Sequence, residues 1–162
     1  MIRALAAALV ILSPAAAQAL SCLPHSVEAA YLEADASDAR FIIVRGRLDF
    51  DRRAMPKVDW DNQQNTPPVT EISADFLGKS LSGGEFRLPF ERAVTLRVEC
   101  IGPWCASAPE GVDVLAFVEL REDGPDVIAT NPCGGYLFGS PKPRMIRAVK
   151  DCAAGKSCVP VR

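Results

Sequence analysis

Alternation of apolar and polar residues, the pattern of strands with one buried face, dominates the middle of the chain. In the clearest run every second residue is apolar or small: Ile42, Val44, Gly46, Leu48 and Phe50. Gly46 would permit a bend or a bulge in this strand. Similar patterns predict further strands at residues 72–77, 85–90, 94–100, 112–120 and 126–130, with a hairpin turn at residues 122–124.

These strands predict a mainly β fold, with five or six short antiparallel strands forming a small barrel or sandwich rather than a parallel sheet. Two short helices flank them. The first has Ser26 as its N-cap and presents one apolar stripe, formed by Val27, Ala30, Tyr31 and Ala34. The second begins near Pro143, directs Met145, Ile146 and Val149 to one side, and ends near Cys152.

A long polar loop is predicted at residues 51–68, between the first two strands, because this stretch contains three prolines and many amides and carboxylates. A loop of this length is more often functional or mobile than a simple spacer. Trp60 is its one aromatic residue. The simplest interpretation of Trp60 is that it pins the loop to the core.

The N-terminus has the three parts of a secretory signal peptide: Arg3, an apolar run at residues 4–12, and the small-x-small site at residues 17–19. Cleavage after Ala19 would make Leu20 the first residue of the mature chain. The apolar run is shorter than the ~20 residues that cross a bilayer, so no transmembrane anchor is expected. Lipidation of Cys22 is the alternative, but alanine stands where a lipobox usually has leucine, and an odd number of cysteines would remain.

The mature chain of about 140 residues is long enough for one hydrophobic core and too short for two comfortable domains. The net charge of −2 gives no reason to expect nucleic acid or an anionic membrane as a partner. The C-terminal segment, residues 139–162, is nevertheless basic, and Asp151 is its only acid. It is predicted to lie on the body of the same domain or in solvent, and a docking patch for an acidic partner is the alternative.

Six cysteines in an exported chain of this size predict disulfides, because the extracytoplasmic compartment is oxidising. Six cysteines allow fifteen pairings, and their spacing does not decide among them. Short separations favour Cys100 with Cys105 and Cys152 with Cys158, and elimination then pairs Cys22 with Cys133. That last bridge would close a loop of over a hundred residues, which the chain-entropy model values at roughly 4–5 kcal/mol.

The order of several features resembles the netrin-like module of tissue inhibitors of metalloproteinases and their bacterial homologues. These features are Cys22 and a short helix, Ala34-Asp35, the strand at 41–50, residues 114–124, Ile128-Ala129-Thr130 and Cys133-Gly134-Gly135. The resemblance covers residues 22–138. It implies a five-stranded OB-fold barrel, over residues 20–138, whose N-terminal segment is held by the Cys22–Cys133 bridge.

In those inhibitors a cysteine at the mature N-terminus chelates the protease zinc through its free amine and carbonyl. Here Leu20 and Ser21 precede Cys22, and a Cys-x-Cys pair is absent. That mechanism would therefore require processing directly before Cys22.

No constellation of residues predicts an enzyme, a cofactor or a metal site. His25 is the only histidine, which excludes a multi-histidine zinc or copper site, and it is expected to be a surface or capping residue. Cys100 and Cys105 have four residues between them instead of the two of a redox motif, so the pair is interpreted as structural. No pair of carboxylates stands out.

The sequence therefore predicts an exported, periplasmic or secreted, binding or inhibitory module whose partner is another extracytoplasmic protein. The residues expected to contact it are Leu20, Ser21, Trp60 and Trp104, and exposed tryptophans would support this function. The alternative is a structural, envelope-associated accessory protein that docks through its basic segment. Deleting residues 142–162 would then release the protein from the envelope fraction without unfolding it. The identity of the partner and the oligomeric state do not follow from the sequence.

Overall fold

This computed structural model describes residues 20–161, which contain eight strands and two α-helices. The predicted signal peptide, residues 1–19, lies outside the described residues. Single 3₁₀ turns interrupt the loop after the first strand at Arg52–Ala54 and Gln63–Asn65. In chain order the elements are α1 Val27–Asp35, β1 Arg40–Phe50, β2 Val69–Ser82, β3 Glu85–Ile101, β4 Trp104–Cys105, β5 Asp113–Leu120, β6 Asp126–Asn131, β7 Gly134–Gly135, β8 Leu137–Gly139 and α2 Pro143–Ala153.

Five of these strands pair in a closed ring. β1 pairs antiparallel with β2 and β5, β2 with β3, and β5 with β6, while β3 and β6 close the ring in parallel. The ring is strongly staggered. Followed through its partner in β5, Val127 of β6 is level with Phe41 of β1, but followed the other way, through its partners in β3 and β2, it is level with the position after Phe50. Tilt and stagger of this kind are required to close a small barrel. The predicted mainly β, OB-like barrel with flanking helices is confirmed.

Two strands are longer than predicted. β2 and β3 form one long hairpin, so the separate strands expected at 85–90 and 94–100 are a single strand. The prediction of two strands was wrong because residues 91–93, which lie between them, interrupt the alternation of apolar and polar side chains. All three are exposed, yet their backbone pairs with β2 without a break. From Val94 onward every second residue of β3 is buried and lines the barrel.

Gly46 does not mark a bulge. It lies within the regular register of β1, opposite Gly78 of β2 and Val114 of β5, and the irregularity of the described sheet falls between Ser80 and Leu81 instead. Gly46 and Gly78 allow the two backbones to approach closely, which is another recognised use of glycine in strands.

The hydrophobic residues form two clusters on opposite sides of the sheet. One fills the barrel and includes Val44, Leu48, Phe76 and Leu96. The other lies outside the barrel, where α1 and α2 cover the outer face of β1 and β5; its buried members are Val27, Ala30, Ala34, Leu115, Phe117 and Val149. Residues 114–118 are consequently buried on both faces.

Both helices occur where they were predicted. The Ser26 side chain caps α1 by accepting a hydrogen bond from the Ala29 N–H at 3.3 Å. α2 begins at Pro143 and buries Val149 and Cys152 completely or nearly so. No helix of residues 20–161 is long and apolar enough to cross a membrane.

α2 forms part of the outer cluster, which does not fit the expectation that residues 142–162 could be removed without unfolding. Truncation before Lys142 is expected to lower the free energy of unfolding by about 3 kcal/mol or more, since each fully buried Val- or Ile-sized side chain contributes about 1.5–3 kcal/mol. Urea denaturation followed by circular dichroism measures this loss. A chain truncated after Cys158 is the control, and equal stability of the two truncated chains would contradict a structural role for α2.

All six cysteines are bonded, in the pairs Cys22–Cys133, Cys100–Cys105 and Cys152–Cys158. These are the pairs that short separations and elimination favoured. Two of them close local turns, and the third connects segments 111 residues apart in sequence.

Candidate functional site

Strand direction brings several loops to one end of the barrel. β1, β3 and β6 finish at this end, and β2 and β5 begin there, as their pairing shows. It therefore carries the loop 51–68, the turn 101–104, the segment 106–112 and, through the Cys22–Cys133 bridge, residues 20–25. We call it the loop end.

Large apolar side chains are exposed mainly at the loop end. Of the eleven such side chains that the structure leaves exposed in residues 20–161, six belong to it: Leu23, Trp60, Val69, Ile101, Trp104 and Val112. Leu23 and Trp60 are exposed by 87% and 66%, respectively. Scattered single residues of this kind are ordinary, whereas their concentration on one surface typically marks an interaction site.

The N-terminal segment is held at the loop end by more than its disulfide. The His25 ring lies parallel to Phe138, with the centroids 5.7 Å apart, and its Nε2 is 2.8 Å from the Gly135 carbonyl oxygen, to which it donates when that nitrogen carries the proton. His25 is thus half-buried and does not cap the helix, contrary to the expectation, because Ser26 performs that role. Leu20 is half-buried, and Ser21 is exposed.

Trp60 lies at the tip of a hydrogen-bonded turn. One carboxylate oxygen of Asp59 accepts hydrogen bonds from the Asp61 and Asn62 N–H groups at 3.0 and 3.2 Å, and the other accepts from the Asn62 side chain at 3.1 Å. These bonds, first that of the Asn62 side chain, lower the pKa of Asp59 because they stabilise the ionised carboxylate. The Gln63 side chain donates to the Trp60 carbonyl at 3.3 Å.

Since Trp60 is exposed, the interpretation that it pins the loop to the core is wrong. Residues 59–65 are all exposed, so local hydrogen bonds order this turn in place of packing. Asp, Asn and Gln side chains commonly hold turns in this way.

Trp104 lies on the second exposed turn. Cys100 and Cys105 occupy opposite positions of β3 and β4, and Gly102, with a φ of +58°, makes the reversal between them. The Trp104 ring lies against Gly102, and a Cβ added to this glycine would be 3.7 Å from the ring. The Cys100 N–H donates to the Pro68 carbonyl at 2.9 Å, so this turn is joined directly to the end of the Trp60 loop.

Ion pairs surround these turns but are largely exposed. Arg45 bonds Asp113 through two nitrogens, at 2.7 and 2.9 Å, and Arg53 bonds Asp51, whose pKa it lowers chiefly by side-chain hydrogen bonding. Pairs exposed to this degree contribute little to stability. Among the described residues, no ion pair or side-chain hydrogen bond involves the Asp61 carboxylate.

Two adjoining cavities, of about 510 and 580 Å³, lie at the opposite end of the barrel. Their walls are mainly apolar and share Tyr31, Phe41, Ile42 and Ile43. Burial, followed by the charge of Asp35, raises the pKa of Tyr31. No group of three or more His, Cys, Asp or Glu residues in the chain from 20 to 161 is placed to hold a metal ion.

The structure brings all four residues that the sequence singled out, Leu20, Ser21, Trp60 and Trp104, to the loop end. Sequence reasoning missed the exposed Leu23, Val69, Ile101 and Val112. Leu23 could have been suspected because it follows the bridged Cys22. Val69 and Ile101 are out of phase with the buried residues of their strands, which is a local sign of exposure, whereas Val112 is in phase with the buried Val114 and nothing local distinguishes it from a core residue.

Comparisons with protein-family models, with curated proteins and with solved structures find no match for this chain.

Proposed function

We propose that this protein is an exported binding module that contacts another extracytoplasmic protein through the loop end. One observation carries the proposal: more than half of the exposed large apolar side chains of residues 20–161 lie on this end, and three of them, Leu23, Ile101 and Trp104, lie beside or within disulfide bridges.

Anchored loops favour binding because little conformational entropy is lost when they meet a partner. Trp104 is one of the four residues between the disulfide-bonded Cys100 and Cys105, and Trp60 lies on a hydrogen-bonded turn. Tryptophans presented in this way are frequent hot spots of protein interfaces.

The resemblance to netrin-like inhibitors supports the same surface. An N-terminal segment bonded to the end of the last barrel strand is the arrangement that the resemblance implies, and Cys22–Cys133 has that form. We do not extend the proposal to zinc chelation by an N-terminal amine, since Leu20 and Ser21 precede Cys22. Three disulfides support an oxidising compartment, so we propose a periplasmic or secreted location.

Retention of extracytoplasmic proteins from the native host on the immobilised mature chain tests this function. The double variant Ile101→Ala/Trp104→Ala is expected to reduce retention of a specific partner by at least about tenfold, because losing a central hot spot costs about 2 kcal/mol or more. The matched control is Leu32→Ala/Leu88→Ala, which removes two exposed leucines outside the loop end. Equal retention by the two variants and the parent chain would reject the loop end as the interface.

A second function, docking to an acidic envelope surface, is favoured by the exposed cations of the C-terminal segment. Lys150 and Lys156 pair with Glu85 and Asp151, whereas Arg144 and Arg147 are exposed and form no ion pair within the described chain. The variant Arg144→Glu/Arg147→Glu should shift the protein from the envelope fraction to the soluble fraction if this function is correct. An unchanged distribution would reject it.

A further inference from the structure

Trp60 carries an aromatic ring that contacts no other ring or cation in residues 20–161. It makes no ring-ring or cation–π contact there, whereas the Arg92 guanidinium stacks on Phe90 at 4.7 Å. The backbone of its turn is nevertheless ordered by hydrogen bonds on both sides of Trp60. The ordered turn thus presents the ring to solvent, to which Trp60 is 66% exposed.

Two carboxylates, those of Asp59 and Asp61, flank this ring in sequence. Asp59 remains ionised because its oxygens accept three hydrogen bonds. The Asp61 carboxylate is exposed and engages no group of the described chain. The cations of the same loop form no ion pair with these carboxylates: Arg52 and Arg53 pair with Glu110 and Asp51, and Lys57 forms no ion pair within residues 20–161.

An indole face attracts a cation through its quadrupole, and tryptophan is the best such acceptor among the side chains. Nearby carboxylates add a Coulomb attraction for the same charge. Ile101 and Trp104, on the turn that a hydrogen bond joins to Pro68 at the end of the same loop, offer exposed apolar surface at the same end of the barrel. Charge and exposed apolar surface together select a basic side chain with apolar neighbours.

We infer that the Trp60 turn binds a lysine or arginine side chain of the partner protein, with Asp61 supplying the counter-charge. The inference rests on the proposed function and specifies the chemistry of the partner at this surface: a cationic residue between apolar ones. The partner contacts Trp60 through the cation and the neighbouring turn through its apolar residues.

The probes are two tripeptides, acetyl-Leu-Arg-Leu-amide and acetyl-Leu-Glu-Leu-amide, titrated into the mature protein. The Trp60 indole N–H resonance reports binding and is assigned with the Trp104→Phe variant. The arginine peptide is expected to bind several-fold more tightly than the glutamate peptide. Asp61→Asn should weaken arginine-peptide binding about 2- to 5-fold, the range of one exposed cation–π or ion-pair contact.

Asp123→Asn is the matched control, because it removes an exposed carboxylate from the turn at the opposite end of the barrel and should leave both affinities unchanged. Equal affinity of the two peptides, or an arginine affinity insensitive to Asp61→Asn, would overturn the inference. The retention experiment with Ile101→Ala/Trp104→Ala does not depend on Asp61, so the failure of one proposal is distinguishable from the failure of the other.

Discussion

Replacing Cys22 and Cys133 together by serine is expected to lower the free energy of unfolding by roughly 4–5 kcal/mol. The bridge joins residues 111 positions apart, and in the chain-entropy model a loop of that size restricts the unfolded chain strongly. Urea denaturation without reductant, compared with the parent chain, measures the change. Most small domains are stable by only about 5–15 kcal/mol, so the variant is expected to be partly unfolded near body temperature.

The pair Cys152→Ala/Cys158→Ala is the control for this prediction. Its loop spans a separation of only six residues, for which the same model gives about 2 kcal/mol. A larger loss for this short loop than for Cys22–Cys133 would contradict the entropic account. The Cys22–Cys133 variant should also release residues 20–24 from the loop end, so partner retention should fall even under conditions where the barrel remains folded.

Replacing Gly46 by valine is expected to prevent folding or to cost more than about 4 kcal/mol, a loss that ordinary surface substitutions do not reach. A Cβ added at Gly46 would lie 2.2 Å from the Leu77 carbonyl oxygen and 2.6 Å from the Gly78 Cα. Both contacts are with backbone atoms, so β1 must move away from β2. The displacement would open the ladder that joins β1 to the rest of the ring.

Gly84→Ala is the control for the Gly46 variant. Gly84 has a φ of +80° but no atom within 4 Å of an added Cβ, so its substitution carries only the backbone cost, about 1 kcal/mol. Thermal unfolding monitored by circular dichroism compares the two. A Gly46→Val protein that melts within a few degrees of the Gly84→Ala protein would show that the close approach of β1 and β2 is not required.

The candidate site was only partly visible in the sequence. Trp60 and Trp104 stood out because large aromatic residues in polar turns are unusual, and both proved to be exposed. Ile101 and Val69 did not, because they lie just outside the predicted strands 94–100 and 72–77. They are exposed because they fall out of phase with the buried positions of β3 and β2 and so lie on the outer face of the sheet.

The sequence by itself determined the mainly β class of fold and the positions of both helices. Strand alternation records which face of a strand is buried, and Ser26 and Pro143 mark helix starts through local hydrogen bonding and fixed φ. These signals act over a few residues, so a single chain segment contains them. Two short separations and elimination favoured one set of disulfide pairs, but spacing does not decide among the fifteen pairings, and only the structure joins the cysteines in these pairs.

Only the tertiary structure decided that β3 and β6 pair in parallel and close the ring, that α2 covers the outer face of β5, and that four separate segments meet at the loop end. Each of these depends on which elements are neighbours in space, and hydrophobic periodicity does not identify the neighbouring strand or helix. The same alternation would serve a sandwich as well as a barrel, and only the closed ring brings Trp60, Trp104 and the N-terminal segment to one surface.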